Sequence, residues 1–170
     1  MSRSGVLQAG EPVLLIDRKK RRYLIDLEEG GEFHSHSGVL PHDEMIGKPE
    51  GETYRSSRGM VFIAIRPTIT DFVLKMPRGA QVVYPKDIGP ILIHADIFPG
   101  ARVLESGLGS GALSMGMLRA GADIVGYELR EDFEQHARSA VARFLGAEAL
   151  ERYRTQVRDV YAGIDETDLD

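Results

Sequence analysis

The chain has 170 residues, of which 42% are hydrophobic and 28% charged, the balance of an ordinary water-soluble protein, and its formal net charge is −5. It contains no cysteine, which excludes disulfides, cysteine-held metals and thiol catalysis. No apolar run approaches the ~20 residues of a membrane span, Met1 leads into no apolar signal region, and the expected location is cytoplasmic.

The acidic balance argues against a nucleic-acid partner unless basic groups cluster locally, and the first sixty residues contain such a cluster. Two apolar runs, residues 13–16 and 23–27, flank Asp17 and five consecutive basic residues, Arg18, Lys19, Lys20, Arg21 and Arg22. This pattern reads as a hairpin with a basic tip. The tip is either a phosphate contact or a solvated turn. Gly30, Gly31, Gly38, Gly47 and Gly51 punctuate further short strands, and residues 60–65 are the most apolar of these. Residues 1–65 are therefore expected to form a small β-barrel module. His34 and His36 would share a strand face, with His42 nearby, so a metal site competes with ordinary polar histidines. The spacing fixes no ligand set, and no metal is expected.

Residues 66–100 read as a linker with helices. Arg66-Pro67 breaks the strand pattern, and residues 70–76 suggest a short helix. Residues 81–87 form an extended segment containing Tyr84, Pro85 and Lys86, and a second helix is expected over 88–98. Pro99-Gly100 then turns the chain into its most informative stretch.

Residues 102–112 run Arg-Val-Leu-Glu-Ser-Gly-Leu-Gly-Ser-Gly-Ala. A buried parallel strand ends in Glu105, glycines follow at 107, 109 and 111, and a helix begins at Ala112. Strand, glycine turn and helix let backbone N–H groups approach a ligand closely. Two readings remain at this level. Gly107, Gly109 and Ala112 fit a dinucleotide fingerprint, with Glu128 about 20 residues on as the ribose acid. The acid preceding three alternate glycines also fits the class I methyltransferase loop, which wraps S-adenosylmethionine.

Residues 123–128 read as a second strand ending in Glu128. Phe133, Ala137, Ala140, Val141, Phe144 and Leu145 fall on one helical face, and residues 153–157 give a third strand before Asp159. Residues 101–170 are thus expected to be the first part of a parallel α/β sheet with right-handed crossovers, whose ligand lies beyond the strand ends. There Glu128 would accept both ribose hydroxyls, and Asp159 an adenine amino group under Val160. Glu105 and the loop would face a positively charged methionine portion. Acids suit a sulfonium better than a diphosphate.

Taken together, residues 33–38 (Phe-His-Ser-His-Ser-Gly), Ile46-Gly47, Tyr84-Pro85-Lys86-Asp87, the acid–glycine loop and Tyr127-Glu128-x-Arg130 resemble the tRNA (adenine-N1)-methyltransferases. The likeness, to the bacterial and archaeal type and most of all to actinobacterial members, covers essentially the whole chain. It implies an N-terminal barrel, a class I Rossmann-like methyltransferase domain, S-adenosylmethionine as cofactor, a homotetramer, and methylation of a T-loop adenine in tRNA. It also assigns cofactor contacts to Glu105, Gly107, Leu108, Gly109, Ser110, Gly111, Ala112, Glu128, Leu129, Phe133, Asp159 and Val160. Tyr84 would position the target adenine, while Arg18 to Arg22 and Lys86 would meet the tRNA. Two positions depart from the family pattern: Ser106 replaces an alanine, and Phe133 stands where many members carry histidine. The family's catalytic aspartate is expected beyond Asp170. The competing readings are a non-catalytic RNA-binding or assembly subunit and an NAD-linked oxidoreductase.

Overall fold

A computed structural model describes residues 5–77 and 79–170, and the chain divides into two compact units, Met1–Lys75 and Met76–Asp170. The first is built on β1 (Pro12–Asp17), β2 (Arg22–Asp26), β3 (Glu32–Ser35), β4 (Gly38–Pro41), β5 (Thr53–Arg55) and β6 (Val61–Ile65), followed by α1 (Ile69–Lys75). β1 and β2 pair antiparallel with Leu14 opposite Leu24, β1 also pairs with β6, and the sheet order is β2-β1-β6-β5. β3 and β4 form a separate hairpin.

The strands therefore do not close into the expected barrel: among the described residues the module is an open four-stranded sheet and a two-stranded hairpin. Side chains bridge what the ladders leave open. Phe33 of the hairpin lies 5.2 Å from Tyr23 and 5.6 Å from Phe62, ring centre to ring centre. Leu7, Val13, Leu15, Leu27, Leu40, Met45 and Ala64 complete the shared core. Leu14, on the opposite face of β1, is equally buried, which explains why this strand reads as a continuous apolar run.

The second unit contains α2 (Pro85–His94), β7 (Arg102–Ser106), α3 (Ala112–Ala120), β8 (Asp123–Glu128), α4 (Glu131–Leu145) and β9 (Tyr153–Val157). Helix α2 begins three residues before the expected Ile88, because Tyr84 is extended and Pro85 at the first helical position is already preset to helical φ. The three strands are parallel in the order β7-β8-β9, with Glu105 opposite Gly126 and Glu128 opposite Val157. Alternation then puts Glu105, Glu128, Tyr153 and Thr155 on one face, towards α3 and α4. Helix α3 stops at Gly121, whose φ of 105° allows its N–H to return to the Met117 and Leu118 carbonyls. Among the described residues no helix is long and apolar enough to cross a membrane.

Candidate cofactor and RNA sites

The carboxyl ends of β7 and β8 hold the site's anchor. Glu128 is 7% exposed, and its two carboxylate oxygens accept from different backbone amides, Gly109 and Arg130, each at 3.1 Å. One side chain thereby ties the glycine loop to the strand end beside it. The loop itself needs three left-handed residues, with φ of 84°, 50° and 74° at Gly107, Gly109 and Gly111. A Cβ on Gly107 would meet no atom within 4 Å, so the space over that residue is open to a ligand. Gly111 is glycine for a different reason. A Cβ there would lie 3.0 Å from the Ala137 carbonyl oxygen and 3.1 Å from its Cα, so α4 sits directly on the loop.

Within this loop Leu108 turns down onto the sheet. A Cβ on Gly126 would come within 2.6 Å of its side chain, and Leu108 is almost fully buried. Its side chain is core, which leaves its backbone as the part able to meet a ligand. Ser110 and Ala112 are buried as well, whereas Leu129 is 68% exposed next to the anchoring carboxylate. The 80–81 segment crosses the loop from outside, since a Cβ on Gly109 would lie 3.6 Å from the Ala80 Cβ and 3.8 Å from the Gln81 carbonyl oxygen. Tyr84, 37% exposed, follows at the end of that segment as the residue before α2.

Glu105 is placed differently from its expected position facing a ligand. Its carboxylate is buried between sheet and helix, where it accepts from the Ser114 hydroxyl of α3 at 2.5 Å. Ser114 also lies 3.0 Å from the Tyr153 hydroxyl. Burial, opposed only in part by the Ser114 bond, pushes the Glu105 carboxyl up to about 7. Burial likewise raises the Tyr153 phenol.

The remaining candidates are more peripheral. Asp159 is exposed and caps a short turn by accepting from the Tyr161 amide at 2.9 Å, and Val160 follows half-buried. Phe133 carries the Arg130 guanidinium 3.8 Å over one ring face, and Asp132 holds that guanidinium at 2.6 Å. Sequence reasoning missed Ser114, Gly126, Ala80 and Gln81, because each acts through a contact that sequence spacing does not encode.

The basic hairpin is likewise divided by its neighbours. Asp17 accepts from the amides of Lys19 and Arg21, at 2.8 and 2.9 Å, and from the Arg21 guanidinium at 2.6 Å. Arg22 is bound to Asp71 of α1 at 2.5 Å. Arg21 and Arg22 are therefore each engaged by an acid of the fold, Arg22 while still exposed, and Arg18, Lys19 and Lys20 are exposed as well. Lys86, in the other unit, is paired with its neighbour Asp87 at 2.7 Å. The histidines have separate partners: His34 faces Glu32 at 2.9 Å, His36 faces Arg21 at 3.2 Å, and buried His42 accepts from the Glu28 amide at 3.1 Å. Among the described residues no three His, Cys, Asp or Glu side chains converge on a metal position.

A parallel sheet with an acid-bounded glycine loop at its carboxyl edge defines a class I methyltransferase fold of Rossmann-like topology. The chain belongs to the family described as tRNA methyltransferase complex GCD14 subunit, whose profile matches residues 59–169. Residues 5–53 match a second family, TrmI-like N-terminal. The tRNA (adenine(58)-N(1))-methyltransferase TrmI of Thermus thermophilus is 38% identical over 136 residues, covering 78% of this chain and 53% of the relative. The tRNA (adenine(57)-N(1)/adenine(58)-N(1))-methyltransferase TrmI of Methanocaldococcus jannaschii is 33% identical over 133 residues, 76% of this chain and 46% of the relative. The chain thus spans about half the length of the curated relatives it matches.

Two solved structures are similar. An SAM-dependent O-methyltransferase from Thermotoga maritima superposes with a TM-score of 0.89 at 33% identity, covering 98% of this chain and 62% of that one. The tRNA (m1A58) methyltransferase TrmI from Aquifex aeolicus superposes with a TM-score of 0.78 at 28% identity, covering 94% and 61%.

Proposed function

We propose that this chain is the cofactor-binding portion of a tRNA methyltransferase that transfers a methyl group from S-adenosylmethionine to N1 of a T-loop adenine. The observation that carries the reading is Glu128, a buried carboxylate that fastens the loop at Gly109 and stands at the strand end where a ribose is held. The electrostatics agree. From Val103 to Leu118 the chain has no basic residue, and Glu105, Glu128 and Asp159 close the same sheet edge. A cationic ligand gains from that arrangement, whereas the diphosphate of NAD would be repelled.

When bound, S-adenosylmethionine supplies a methyl group already activated on a sulfonium. Glu128 accepts from the ribose hydroxyls while its bond to Gly109 keeps the loop in place. The open space over Gly107 admits the ligand against the backbone. Exposed Leu129 and half-buried Val160 would offer apolar cover for the adenine ring, Phe133 would add its ring, and Asp159 would accept from the amino group. Tyr84 receives the target base beside the loop, after the base has left its stack. Holding nitrogen and methyl in line supplies much of the rate enhancement. Homotetramer assembly, a cytoplasmic location and independence of metal complete the proposal. The relatives' names differ on the acceptor, one solved neighbour being called an O-methyltransferase. The match to a tRNA methyltransferase family over residues 59–169 favours tRNA.

Calorimetric titration with S-adenosylmethionine and S-adenosylhomocysteine, with NAD as control, tests the cofactor assignment. Binding of the first two alone is expected. Glu128→Ala removes two charge-assisted bonds, each worth ~1.5–3 kcal/mol, and should weaken binding about a hundredfold or more. Tighter binding of NAD, or full affinity in the variant, would sink the assignment.

A further inference from the structure

Three hairpin tips of the N-terminal unit meet at one place, and together they carry seven of its basic residues. The β1–β2 tip is residues 17–22, the β3–β4 tip residues 33–38, and the β5–β6 tip residues 55–60. Their meeting point is His36. The Arg21 guanidinium lies 3.2 Å from its Nε2, and the Arg58 guanidinium donates to its carbonyl oxygen at 3.1 Å. The Ser37 hydroxyl lies 3.0 Å from the same Nε2, so His36 gathers side chains from the first and second tips.

The second and third tips are bound more closely still. Ser56 donates its hydroxyl to the Ser37 carbonyl at 2.5 Å, Ser57 donates its amide to the Val39 carbonyl at 2.8 Å, and Val39 returns its amide to the Ser57 hydroxyl at 3.0 Å. Gly38 makes this approach possible. Its φ is 100°, and a Cβ there would lie 2.6 Å from the Ser57 hydroxyl and 2.8 Å from the Arg58 amide nitrogen. The first tip is held rigid from within, by the three bonds to Asp17 and by Lys20 in a left-handed conformation at φ 60°.

The outcome is a concentration of like charge. The three tips carry Arg18, Lys19, Lys20, Arg21, Arg22, Arg55 and Arg58 against one carboxylate, Asp17, in a chain whose net charge is −5. Arg18, Lys19, Lys20, Arg55 and Arg58 are exposed. Arg21 and Arg22 are matched by Asp17 and Asp71, but crowding the remaining exposed cations costs stability, and a bound polyanion removes that cost. The tips also lack what reading bases would require. Their one phenyl ring, Phe33, is packed against Tyr23 and Phe62 and is not available to stack a base.

We propose that the three tips form one phosphate-backbone platform for folded RNA, in which Arg18, Lys19, Lys20, Arg55 and Arg58 contact phosphates around a frame set by His36 and Gly38. The platform rests on the reading of this protein as a tRNA enzyme, and it gives that reading a sequence-independent docking surface. Arg55 and Arg58 join the linear basic run only because the third tip folds against the second.

The test compares the chain with an Arg18→Gln, Lys20→Gln, Arg58→Gln variant, measuring tRNA affinity across a potassium chloride series. Each phosphate contact contributes roughly 0.7–0.9 to the slope of log affinity against log salt. The variant's slope should fall by about two, and its affinity at low salt by about tenfold to a hundredfold. S-adenosylmethionine affinity should stay unchanged and the melting temperature should not fall, which shows that the variant is folded. Unchanged tRNA affinity and slope would overturn the platform while leaving the methyltransferase reading intact. A wild-type chain that binds S-adenosylmethionine but not tRNA would also overturn it. So would poly-aspartate competing as well as tRNA, since that would mark an acidic protein as the partner.

Discussion

Glu105→Gln should abolish much of the fall in stability between pH 5 and pH 8 while weakening the binding of a cationic cofactor. The carboxyl lies between sheet and α3 with the Ser114 hydroxyl as its donor, and burial holds it near 7 rather than 4.5. Its folded value is above its unfolded value, so between about 4.5 and 7 the folded state binds the extra proton. Stability contributed by this group is therefore full below pH 4.5, declines as pH rises towards 7, and is level beyond. A shift of this size corresponds to ~3 kcal/mol. Glutamine keeps an oxygen for Ser114 and does not ionise, so thermal melts of the variant should be nearly flat where the wild type declines. Calorimetry should show the opposite sense for the ligand. Above pH 7 the wild type carries a negative charge buried against α3, which a cationic ligand at the loop would feel only through space, and the variant should bind up to about tenfold more weakly. A wild-type melting temperature that rose from pH 5 to pH 8 would contradict the assignment.

Alanine at Gly111 and alanine at Gly107 should separate folding from binding. Both glycines have left-handed φ, 74° and 84°, which costs an L-residue ~1–2 kcal/mol. At Gly111 the new methyl would also press on the Ala137 backbone, 3.0 Å from its carbonyl oxygen, and overpacking of that kind adds ~1–3 kcal/mol. Gly111→Ala should therefore lower the urea midpoint markedly. Gly107→Ala meets no atom within 4 Å and should cost only the backbone strain, yet it places a methyl in the space the ligand needs. A stable chain with at least tenfold weaker cofactor binding is the expected result. Equal loss of stability in the two variants would mean that α4 does not rest on the loop.

β7 and β8 were legible because their short apolar runs, 103–104 and 124–125, lead into acids, whereas β9, with only Tyr153 buried, was legible mainly from its place after a helix. The residues expected at 123–128 and 153–157 are β8 and β9, and the glycine loop falls where its spacing placed it. The N-terminal strands were legible too, but their closure was not. Whether short strands join into a barrel depends on which edges meet, and here Tyr23, Phe33 and Phe62 fill the gap with rings in place of a hydrogen-bonded ladder. Among the site residues, Glu128 could be read directly, since a carboxylate at a strand end beside a glycine loop has few alternatives. The setting of Glu105 could not. The alternation that sends it towards α3 is visible only once β7 is paired in register with β8.

By itself the amino-acid order determined the class of fold, the position of the loop and the presence of a basic hairpin, because glycine spacing, apolar runs and charge runs are local properties. Tertiary structure decided which of those groups are free to act. It spent Arg21 and Arg22 on Asp17 and Asp71, turned Leu108 into core, and joined Arg58 to the β3–β4 hairpin 22 residues away in sequence. The physical reason is common to all three. A side chain's partner is set by distance in space, and only the folded register brings these groups within hydrogen-bonding or van der Waals reach.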